Sequence, residues 1–236
     1  MANDYFKFKR FTIYQDKCAM KVGTDGTLLG AWAQAPSDPC RILDIGTGTG
    51  LIALMLAQRY PYASVVGIDI ESSAVAQAKE NVRTSPFLDR VNIYEADIRH
   101  FTDNKSFDAI VCNPPFFAND LVSPDKLRAV ARHTITMGYQ DLIHAAYNLL
   151  SEKGCFSVVL PTSNCSDFES EAIIAGFSVS RICYIKTKAD NPPKRCLIEL
   201  KKTFVKETVR VIEVLIHSSG LKTEWYYQLT RDFYLE

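Results

Sequence analysis

The central part of the chain alternates between short apolar runs and amphipathic segments. Apolar runs of five or six residues predict β-strands, and segments whose apolar residues recur every three to four positions predict helices. The predicted strands cover 41–45, 64–70, 91–95, 107–112 and 155–160, and the predicted helices cover 51–58, 73–83, 141–150 and 167–175. Strands and helices in this order form a mostly parallel sheet with helices on both faces.

The pattern changes after Gly176, which ends the last of these helices. Two extended runs, 177–185 and 195–202, follow with no helical pattern between them. They predict an antiparallel hairpin at an edge of the sheet. A further extended run covers 209–216, and an aromatic tail comes after it. We therefore predict an α/β fold with a seven-stranded, mostly parallel sheet and an antiparallel C-terminal hairpin.

A glycine-rich loop, Asp44-Ile45-Gly46-Thr47-Gly48-Thr49-Gly50, follows the strand predicted at 41–45. Glycines at the start of a helix let a ligand approach the main-chain N–H groups, although a plain strand-to-helix turn has a similar composition. The spacing G-x-G-x-G differs from the G-x-G-x-x-G of dinucleotide enzymes. Asp69 near the end of the next strand can accept hydrogen bonds from two ribose hydroxyls. Together the two features predict a nucleoside ligand.

A second motif, Asn113-Pro114-Pro115-Phe116, follows the strand predicted at 107–112. The prolines fix their own φ angles, remove two N–H donors and hold the preceding residues extended. The motif therefore offers acceptors, the carboxamide oxygen of Asn113 and the carbonyl of Pro114, which suit a planar amino group. Phe116 can stack on the ring that carries the amine. An Asn-Pro turn alone is common, but the position after a strand and beyond the glycine loop favours catalysis.

Composition excludes several other classes of protein. The 236 residues include 27 basic and 27 acidic side chains, and the charged N-terminal twenty residues do not resemble a signal peptide. No apolar run is long enough to span a membrane. The seven cysteines contain no C-x-x-C pair and the four histidines no i,i+4 pair, so neither a disulfide framework nor a metal site is expected. This cysteine usage predicts a reducing cytoplasm.

The two motifs resemble those of Rossmann-like, class I S-adenosylmethionine-dependent methyltransferases that modify amino groups. Further segments are similar to the bacterial valine-tRNA adenine N6-methyltransferase family, and the resemblance covers essentially the whole chain. These segments are Phe6–Ile13, Met20–Trp32, Ala131-Arg132-His133 and Asp232-Phe233-Tyr234. The resemblance implies methyl transfer to N6 of adenine 37 in a tRNA, with S-adenosylhomocysteine as the product and no metal. It also implies a single domain, with a covering segment at 1–35, a cofactor-binding core at 36–176 and a hairpin and tail at 177–236.

The resemblance also implies roles for individual residues. The catalytic residues are Asn113, Pro114, Pro115 and Phe116. The cofactor-binding residues are Lys21, Gly23, Thr24, Asp25, Asp44, Gly46, Gly48, Gly50, Asp69, Ile70, Asp97 and Ile98, with Asp44 near the methionine ammonium group and Asp97 near the adenine amino group. The substrate-binding residues are Lys7, Lys9, Arg10, Phe117, Arg132, His133, Lys194 and Arg195. Local alternatives stay open: Asp97 can cap the turn at 98–100, and Thr24 or Asp25 can be the N-cap of the next helix.

Two basic segments with interleaved aromatic or apolar residues favour RNA as the partner. Residues 1–21 hold five basic and two acidic side chains, and residues 186–206 hold seven basic and two acidic ones. Basic residues next to aromatic ones suit contact with phosphates and stacking on bases. We predict that both segments converge on one positive face beside Asn113. We expect no membrane partner and no obligate protein partner, and a monomer.

Three alternatives share part of this evidence. A ribosomal guanine N2-methyltransferase shares the Asn-Pro-Pro-Phe motif, so only the flanking segments argue against it. A protein-glutamine N5-methyltransferase uses the same platform for a planar amide, typically with Tyr in the fourth place rather than Phe116. A non-catalytic cofactor-binding protein is expected to lose Asn113 or the glycines, and this chain retains them.

Overall fold

A computed structural model describes residues 3–18, 21–115 and 138–235. The elements that it describes are ten strands, six helices and one 3-10 turn. The strands are β1 Tyr5–Lys7, β2 Thr12–Tyr14, β3 Arg41–Ile45, β4 Ser64–Asp69, β5 Val91–Glu95, β6 Phe107–Cys112, β7 Leu150–Pro161, β8 Ser178–Lys186, β9 Arg195–Lys201 and β10 Val209–Val214. The helices are α1 Thr24–Trp32, α2 Leu51–Arg59, α3 Ser72–Arg83, α4 Tyr139–Leu149, α5 Cys165–Ile174 and α6 Glu224–Thr230, and the 3-10 turn is Thr162–Asn164.

Eight of the described strands form one sheet in the order β10-β8-β9-β7-β6-β3-β4-β5. β9 runs antiparallel to both of its neighbours, and the other neighbouring strands run parallel. The predicted parallel sheet with an antiparallel hairpin is therefore confirmed. The predicted count of seven strands is one too few, because β10 pairs in parallel with the outer side of β8. This pairing provides hydrogen-bond partners for the backbone N–H and C=O groups on the outer side of β8, which would be unpaired if β8 were the edge strand.

The predicted elements form because their apolar faces are buried on both sides of the sheet. One core lies between the sheet and α1, α2, α3 and α6, and includes Leu28, Leu54 and Val75. The other core lies between the sheet and α4 and α5, and includes Leu142 and Phe168. The central strands are covered on both faces, which explains their nearly continuous apolar sequence. The largest boundary difference from the predictions is β7, which begins at residue 150 rather than 155, directly after α4.

The parallel strands end together at one edge of the sheet, which we call the carboxyl edge. β3, β4, β6 and β7 end there, and the opposite edge is the amino edge. β7 and β8 are both antiparallel to β9, so β9 begins at the carboxyl edge. Accordingly, Arg195 lies opposite Pro161 of β7 and Ile185 of β8. The carboxyl edge is where sheets of this type usually bind their ligands.

The N-terminal hairpin of β1 and β2 packs against α3. The Tyr14 N–H donates to Asn81 Oδ1 at 2.8 Å, and Asn81 Nδ2 donates to the Tyr14 carbonyl at 2.9 Å. The hairpin also meets the other end of the chain. The Lys9 N–H donates to the Phe233 carbonyl at 2.8 Å, and the Phe8 and Tyr234 rings stack with centroids 5.9 Å apart.

Two further observations concern membrane-spanning helices and the cysteines. Among the described residues, no helix has both the length and the apolar character that crossing a membrane requires. The seven cysteines are free thiols.

Candidate methyl-transfer site

The glycine loop turns sharply between β3 and α2. Gly46, Gly48 and Gly50 have φ angles of 67°, 55° and 82°. Residues with a Cβ rarely adopt this left-handed region. A Cβ on Gly46 would meet nothing within 4 Å, so the backbone conformation, and not a lack of space, requires glycine there. The open space beside the loop leaves its main-chain groups accessible to a ligand.

The Asp69 carboxylate holds the loop against the end of β4. Its Oδ2 accepts from the Gly48 N–H at 2.8 Å, and its Oδ1 accepts from the Glu71 N–H at 3.0 Å. Each carboxylate oxygen can accept a second hydrogen bond, so the two oxygens also remain available to a pair of hydroxyl groups. Ile70 follows directly and is 54% exposed. An exposed apolar side chain beside this carboxylate provides a surface for a flat ring.

Asp44 lies under the glycine loop and is fully buried. Its Oδ2 accepts from Thr47 Oγ1 at 2.7 Å and from the Ala53 N–H at 3.1 Å. Its Oδ1 is buried and has no hydrogen-bond partner among the described residues. Burial raises the pKa of the Asp44 carboxyl to about 7. A buried, unpaired carboxylate oxygen is stabilised by a cation, and the ammonium group of S-adenosylmethionine has the charge that fits it.

Asn113 follows β6 at the carboxyl edge. Its Oδ1 is buried and has no partner among the described residues. A Cβ on Gly26 would lie 4.0 Å from Asn113 Nδ2, so the first turn of α1 packs beside the carboxamide. Pro114 is buried and Pro115 is exposed. The structure therefore contains the unpaired acceptor that the motif predicts. Phe116, Phe117, Arg132 and His133 lie outside the described residues.

Helix α1 begins one residue before the start that the sequence suggested as an alternative, in which Thr24 or Asp25 is the N-cap. Gly23, in an extended conformation, is the N-cap, and Thr24 is already the first helical residue. The interpretation of Thr24 or Asp25 as the N-cap is therefore wrong, because the helix begins one residue earlier than that interpretation requires. The Asp25 Oδ2 instead accepts from Arg195 Nε at 2.8 Å. Lys21 is exposed.

Asp97 stabilises the turn that follows β5. Its Oδ1 accepts from the Arg99 N–H at 2.9 Å, and the His100 N–H donates to its carbonyl at 3.0 Å. The Arg99 guanidinium also pairs with the carboxylate and lowers the pKa of Asp97. The local interpretation of Asp97 is thus confirmed, and its contact with the cofactor adenine stays a prediction. Ile98 is buried in the core.

The two basic segments do not converge as predicted. Lys194 and Arg195 lie at the carboxyl edge, but β9 then runs to the amino edge, where Lys202 Nζ donates to the Leu150 carbonyl at 2.6 Å. The Arg10 guanidinium lies 5.4 Å from the Phe87 ring centroid. Phe87 precedes β5 and is therefore also at the amino edge. Segment 186–206 spans both edges because β9 carries its two ends to opposite edges of the sheet, and Arg10 of the other segment lies at the amino edge, away from Asn113.

Exposure agrees with a surface role for Lys7, Lys9, Arg10 and Lys194, which are all exposed. Lys7, Lys9 and Arg10 line an open depression of about 260 Å³ together with Thr84. Their contact with RNA stays a prediction.

Two polar residues of α3, which the sequence patterns did not identify, hold the N-terminal segment against this helix. Asn81 and Gln77 are fully buried on the apolar face of α3. Asn81 Nδ2 donates to the Thr49 carbonyl at 2.8 Å, and Gln77 Oε1 accepts from the Lys17 N–H at 2.9 Å. Asn81 thus connects the N-terminal hairpin to the glycine loop, and Gln77 holds the chain after the hairpin. The available signal was a pair of amides on the helix face that also carries Ala74, Ala78 and Val82, since buried amides need partners.

The chain matches known proteins over its full length. The family model described as "Methyltransferase small domain" matches residues 26–168. A protein from Phocaeicola vulgatus named tRNA1(Val) (adenine(37)-N6)-methyltransferase is 45% identical over 235 residues, covering 100% of this chain and 99% of the relative. A Vibrio cholerae protein of the same name is 41% identical over 238 residues, covering 100% and 97%.

Solved structures agree on the fold. A predicted O-methyltransferase from Agrobacterium tumefaciens superposes with a TM-score of 0.67 at 18% identity, covering 89% of this chain and 96% of that chain. A glycopeptide N-methyltransferase in complex with S-adenosylmethionine gives a TM-score of 0.56 at 14% identity, covering 78% and 100%. The fold is the Rossmann-like methyltransferase fold. With the match at 26–168 and the full-length relatives, the chain belongs to the family of tRNA1(Val) (adenine(37)-N6)-methyltransferases.

Proposed function

We propose that the protein transfers a methyl group from S-adenosylmethionine to N6 of adenine 37 in a valine tRNA. The observation that carries the proposal is Asn113 Oδ1, a buried acceptor at the carboxyl edge with no partner among the described residues. A buried acceptor without a partner costs free energy, on the order of 1–3 kcal/mol. An exocyclic amino group supplies the missing donor.

Asn113 and Pro114 are proposed to orient the target amine. The amine lone pair is conjugated with the purine ring, so it is a weak nucleophile. Hydrogen bonds from the amine to Asn113 Oδ1 and to the Pro114 carbonyl would favour a geometry in which the lone pair is directed at the methyl donor. The rigid backbone of the two prolines keeps both acceptors in place, and positioning of this kind can supply a large part of the rate.

The glycine loop and the acidic residues around it are proposed to hold the cofactor. S-adenosylmethionine supplies an electrophilic methyl group on a sulfonium, so no covalent enzyme intermediate is needed. Asp44 would accept the ammonium group, and Asp69 would accept the ribose hydroxyls while it fixes the loop through Gly48. Ile70 would pack beside the adenine. Lys21, Gly23, Thr24 and Asp25 would cover the methionine end.

The target adenine must leave any base stack to reach Asn113. Anticodon loops present unpaired bases, and an aromatic side chain that stacks on such a base contributes about 1–3 kcal/mol. Phe116 is proposed for this contact, and Phe117, Arg132 and His133 for neighbouring contacts with RNA. Lys7, Lys9, Arg10 and Lys194 are proposed to contact the RNA backbone, whereas Arg195 is paired with Asp25.

The full-length relatives favour tRNA adenine over the alternatives of rRNA guanine and protein glutamine. We further propose that the protein acts in the cytoplasm as a monomeric single domain, without a metal. Among the described residues, no group of three or more His, Cys, Asp or Glu side chains is placed to hold a metal ion. The released product would be S-adenosylhomocysteine.

The proposal is tested by nucleoside analysis of tRNA, rRNA and a release-factor protein after incubation with radiolabelled S-adenosylmethionine. We expect N6-methyladenosine at position 37 of valine tRNA. Asn113→Ala should abolish methyl transfer while the affinity for S-adenosylmethionine, measured by calorimetry, stays within about twofold. Label only in rRNA or only in protein would refute the substrate, and near-normal turnover of Asn113→Ala would refute the role of Asn113.

A further inference from the structure

The sequence placed Asp25 and Arg195 in two different functional groups, but the structure joins them. Arg195 Nε donates to Asp25 Oδ2 at 2.8 Å, and the two side chains are 34% and 27% exposed. Asp25 lies in the first turn of α1, and Arg195 is the first residue of β9. The ion pair therefore connects two elements that are 170 positions apart in the chain.

Each partner is attached to a rigid part of the carboxyl edge. The chain at Lys194 is held on two sides, because the Lys194 N–H donates to the Ile185 carbonyl at 2.9 Å and its carbonyl accepts from the Thr162 N–H at 3.1 Å. Arg195 thus projects from a fixed point between β7 and β8. On the other side, Gly26 follows Asp25 and packs directly beside Asn113. A displacement of the first turn of α1 would therefore alter the surroundings of the Asn113 carboxamide.

The segment at 21–25 has an anchor near each end. The Val22 N–H donates to Gln15 Oε1 at 2.8 Å, and Gln15 is itself buried. Asp25 is held by Arg195. Between these anchors Gly23 and Thr24 are exposed, and the N-cap of α1 makes no side-chain hydrogen bond. The ion pair of Asp25 therefore anchors the first turn of α1, whose N-cap, Gly23, has no side chain that could cap the helix.

We propose that Asp25 and Arg195 form a positioning pair that holds segment 21–25 and the first turn of α1 in place over the cofactor, beside Asn113. This inference rests on the proposed function, because it assigns the segment to the methionine end of S-adenosylmethionine. It changes the role of Arg195, which acts through Asp25 rather than through a phosphate. An ion pair of this exposure contributes little to global stability, so its main effect is local.

The test is a double-mutant cycle with Asp25→Asn, Arg195→Gln and the double variant. The dissociation constant for S-adenosylmethionine is measured by calorimetry on the full chain without RNA. We expect each single change to weaken binding by about fivefold or more, within the usual range of coupling between sites. The double variant should bind about as weakly as the weaker single variant, because both changes remove the same ion pair. Independent, additive losses would overturn the proposal.

Two further measurements separate positioning from other roles. If Arg195 contacts a tRNA phosphate, Arg195→Gln raises the KM for tRNA and Asp25→Asn does not, which would overturn the proposal. If the pair is only structural, both variants lower the melting temperature without a change in cofactor affinity, which would also overturn it. The exchanged pair Asp25→Arg with Arg195→Asp should recover part of the lost affinity.

The matched control is Asp103→Asn. Asp103 forms an ion pair with Arg41 at 3.0 Å, and the exposed fraction is 27% for the Arg41 side chain and 23% for the Asp103 side chain. Arg41 begins β3 at the amino edge, far along the strand from the glycine loop. We expect this variant to bind S-adenosylmethionine like the wild type.

The proposed function and the positioning pair can fail separately. If the wild type binds the cofactor but methylates no tRNA, the proposed function is refuted. The double-mutant cycle would still decide the role of Asp25 and Arg195.

Discussion

Replacing Asp44 by Asn should stabilise the cofactor-free protein above neutral pH and weaken its binding of S-adenosylmethionine. Asp44 is fully buried, and one of its oxygens has no partner among the described residues. Asn has nearly the same shape and can still accept from Thr47 Oγ1 and the Ala53 N–H. It cannot ionise, so it removes the cost of burying a negative charge.

The expected magnitude follows from the pKa of Asp44, which burial raises from 3.8 to about 7. That difference corresponds to about 4 kcal/mol of lost stability at pH 8, at about 1.4 kcal/mol for each pH unit. In the variant, the new amide nitrogen would take the place of the unpaired oxygen and would itself be buried without an acceptor. This costs on the order of 1–3 kcal/mol. The net gain for Asp44→Asn at pH 8 is therefore about 1–3 kcal/mol.

The sign of the pH dependence is fixed by the direction of the shift. Between about pH 4 and pH 7 the unfolded chain has released the Asp44 proton and the folded chain retains it. The wild type therefore loses stability as the pH rises through this interval, by up to about 1.4 kcal/mol per pH unit. The variant lacks this contribution, so the difference in unfolding free energy between the two proteins reports it.

The assay is urea unfolding of both proteins at several pH values between 5 and 8. We expect the free energy of unfolding of the variant, minus that of the wild type, to rise between pH 5 and 7 and to level off above about 7. A difference that stays constant across this range would refute the raised pKa of Asp44. Calorimetry at pH 8 should show that the variant binds S-adenosylmethionine at least tenfold more weakly, because the ammonium group loses its carboxylate partner.

Three further substitutions test other parts of the site and the fold. Asp69→Asn should weaken S-adenosylmethionine binding about tenfold, since only one side-chain oxygen remains to accept from the loop and the cofactor; calorimetry measures this. Gly67→Ala should cost about 1–3 kcal/mol of unfolding free energy in urea, because its Cβ would lie 2.6 Å from Ile93 Cδ1. Arg181→Met should cost about 2–4 kcal/mol in the same assay, because it removes the 2.8 Å ion pair of Glu199, which is 2% exposed, and leaves the longer 4.0 Å contact with Lys201.

Each of these predictions has a control and a contrary outcome. Gly23→Ala is the control for Gly67→Ala, since its Cβ would approach other atoms no closer than 3.9 Å and its φ is −128°. Equal stabilities of the two variants would contradict the steric argument. Unchanged cofactor affinity in Asp69→Asn would refute the proposed contact of the Asp69 carboxylate with the ribose hydroxyls. Full stability of Arg181→Met would show that Ser180, which donates to Glu199 at 2.7 Å, and Lys201 at 4.0 Å satisfy that carboxylate without Arg181.

The sequence predicted the elements of the sheet well because their signal is local. The strands at 91–95 and 107–112 match their predicted bounds, and the helix predicted at 51–58 is observed as Leu51–Arg59. Apolar periodicity depends on neighbours in sequence, and both faces of the sheet are covered as that pattern requires. The place of β10 depends on which sheet edge is free after β9 has formed. No local pattern contains that information.

The site was predictable to the extent that its motifs are contiguous. The glycine loop and Asn113 occupy one edge because parallel strands end together. The pairing of Asp25 with Arg195 was not predictable, since it joins two elements through the order of strands in the sheet. The basic segments were misplaced for a related reason. A net charge counted along 21 residues ignores that a strand crosses the sheet from one edge to the other.

The contact between the N-terminal hairpin and the segment that follows α6 has a consequence for how the protein is made. Phe8 and its partner Tyr234 are more than two hundred positions apart. A ribosome synthesises the hairpin first, and Phe233 and Tyr234 emerge long after the glycine loop and β6. The hairpin can dock on α3 through Asn81 during synthesis, but its other side stays uncovered until the chain around 230–234 is available. Closure by such a distant contact favours slow completion of the native state, and the nascent chain carries exposed aromatic residues until then.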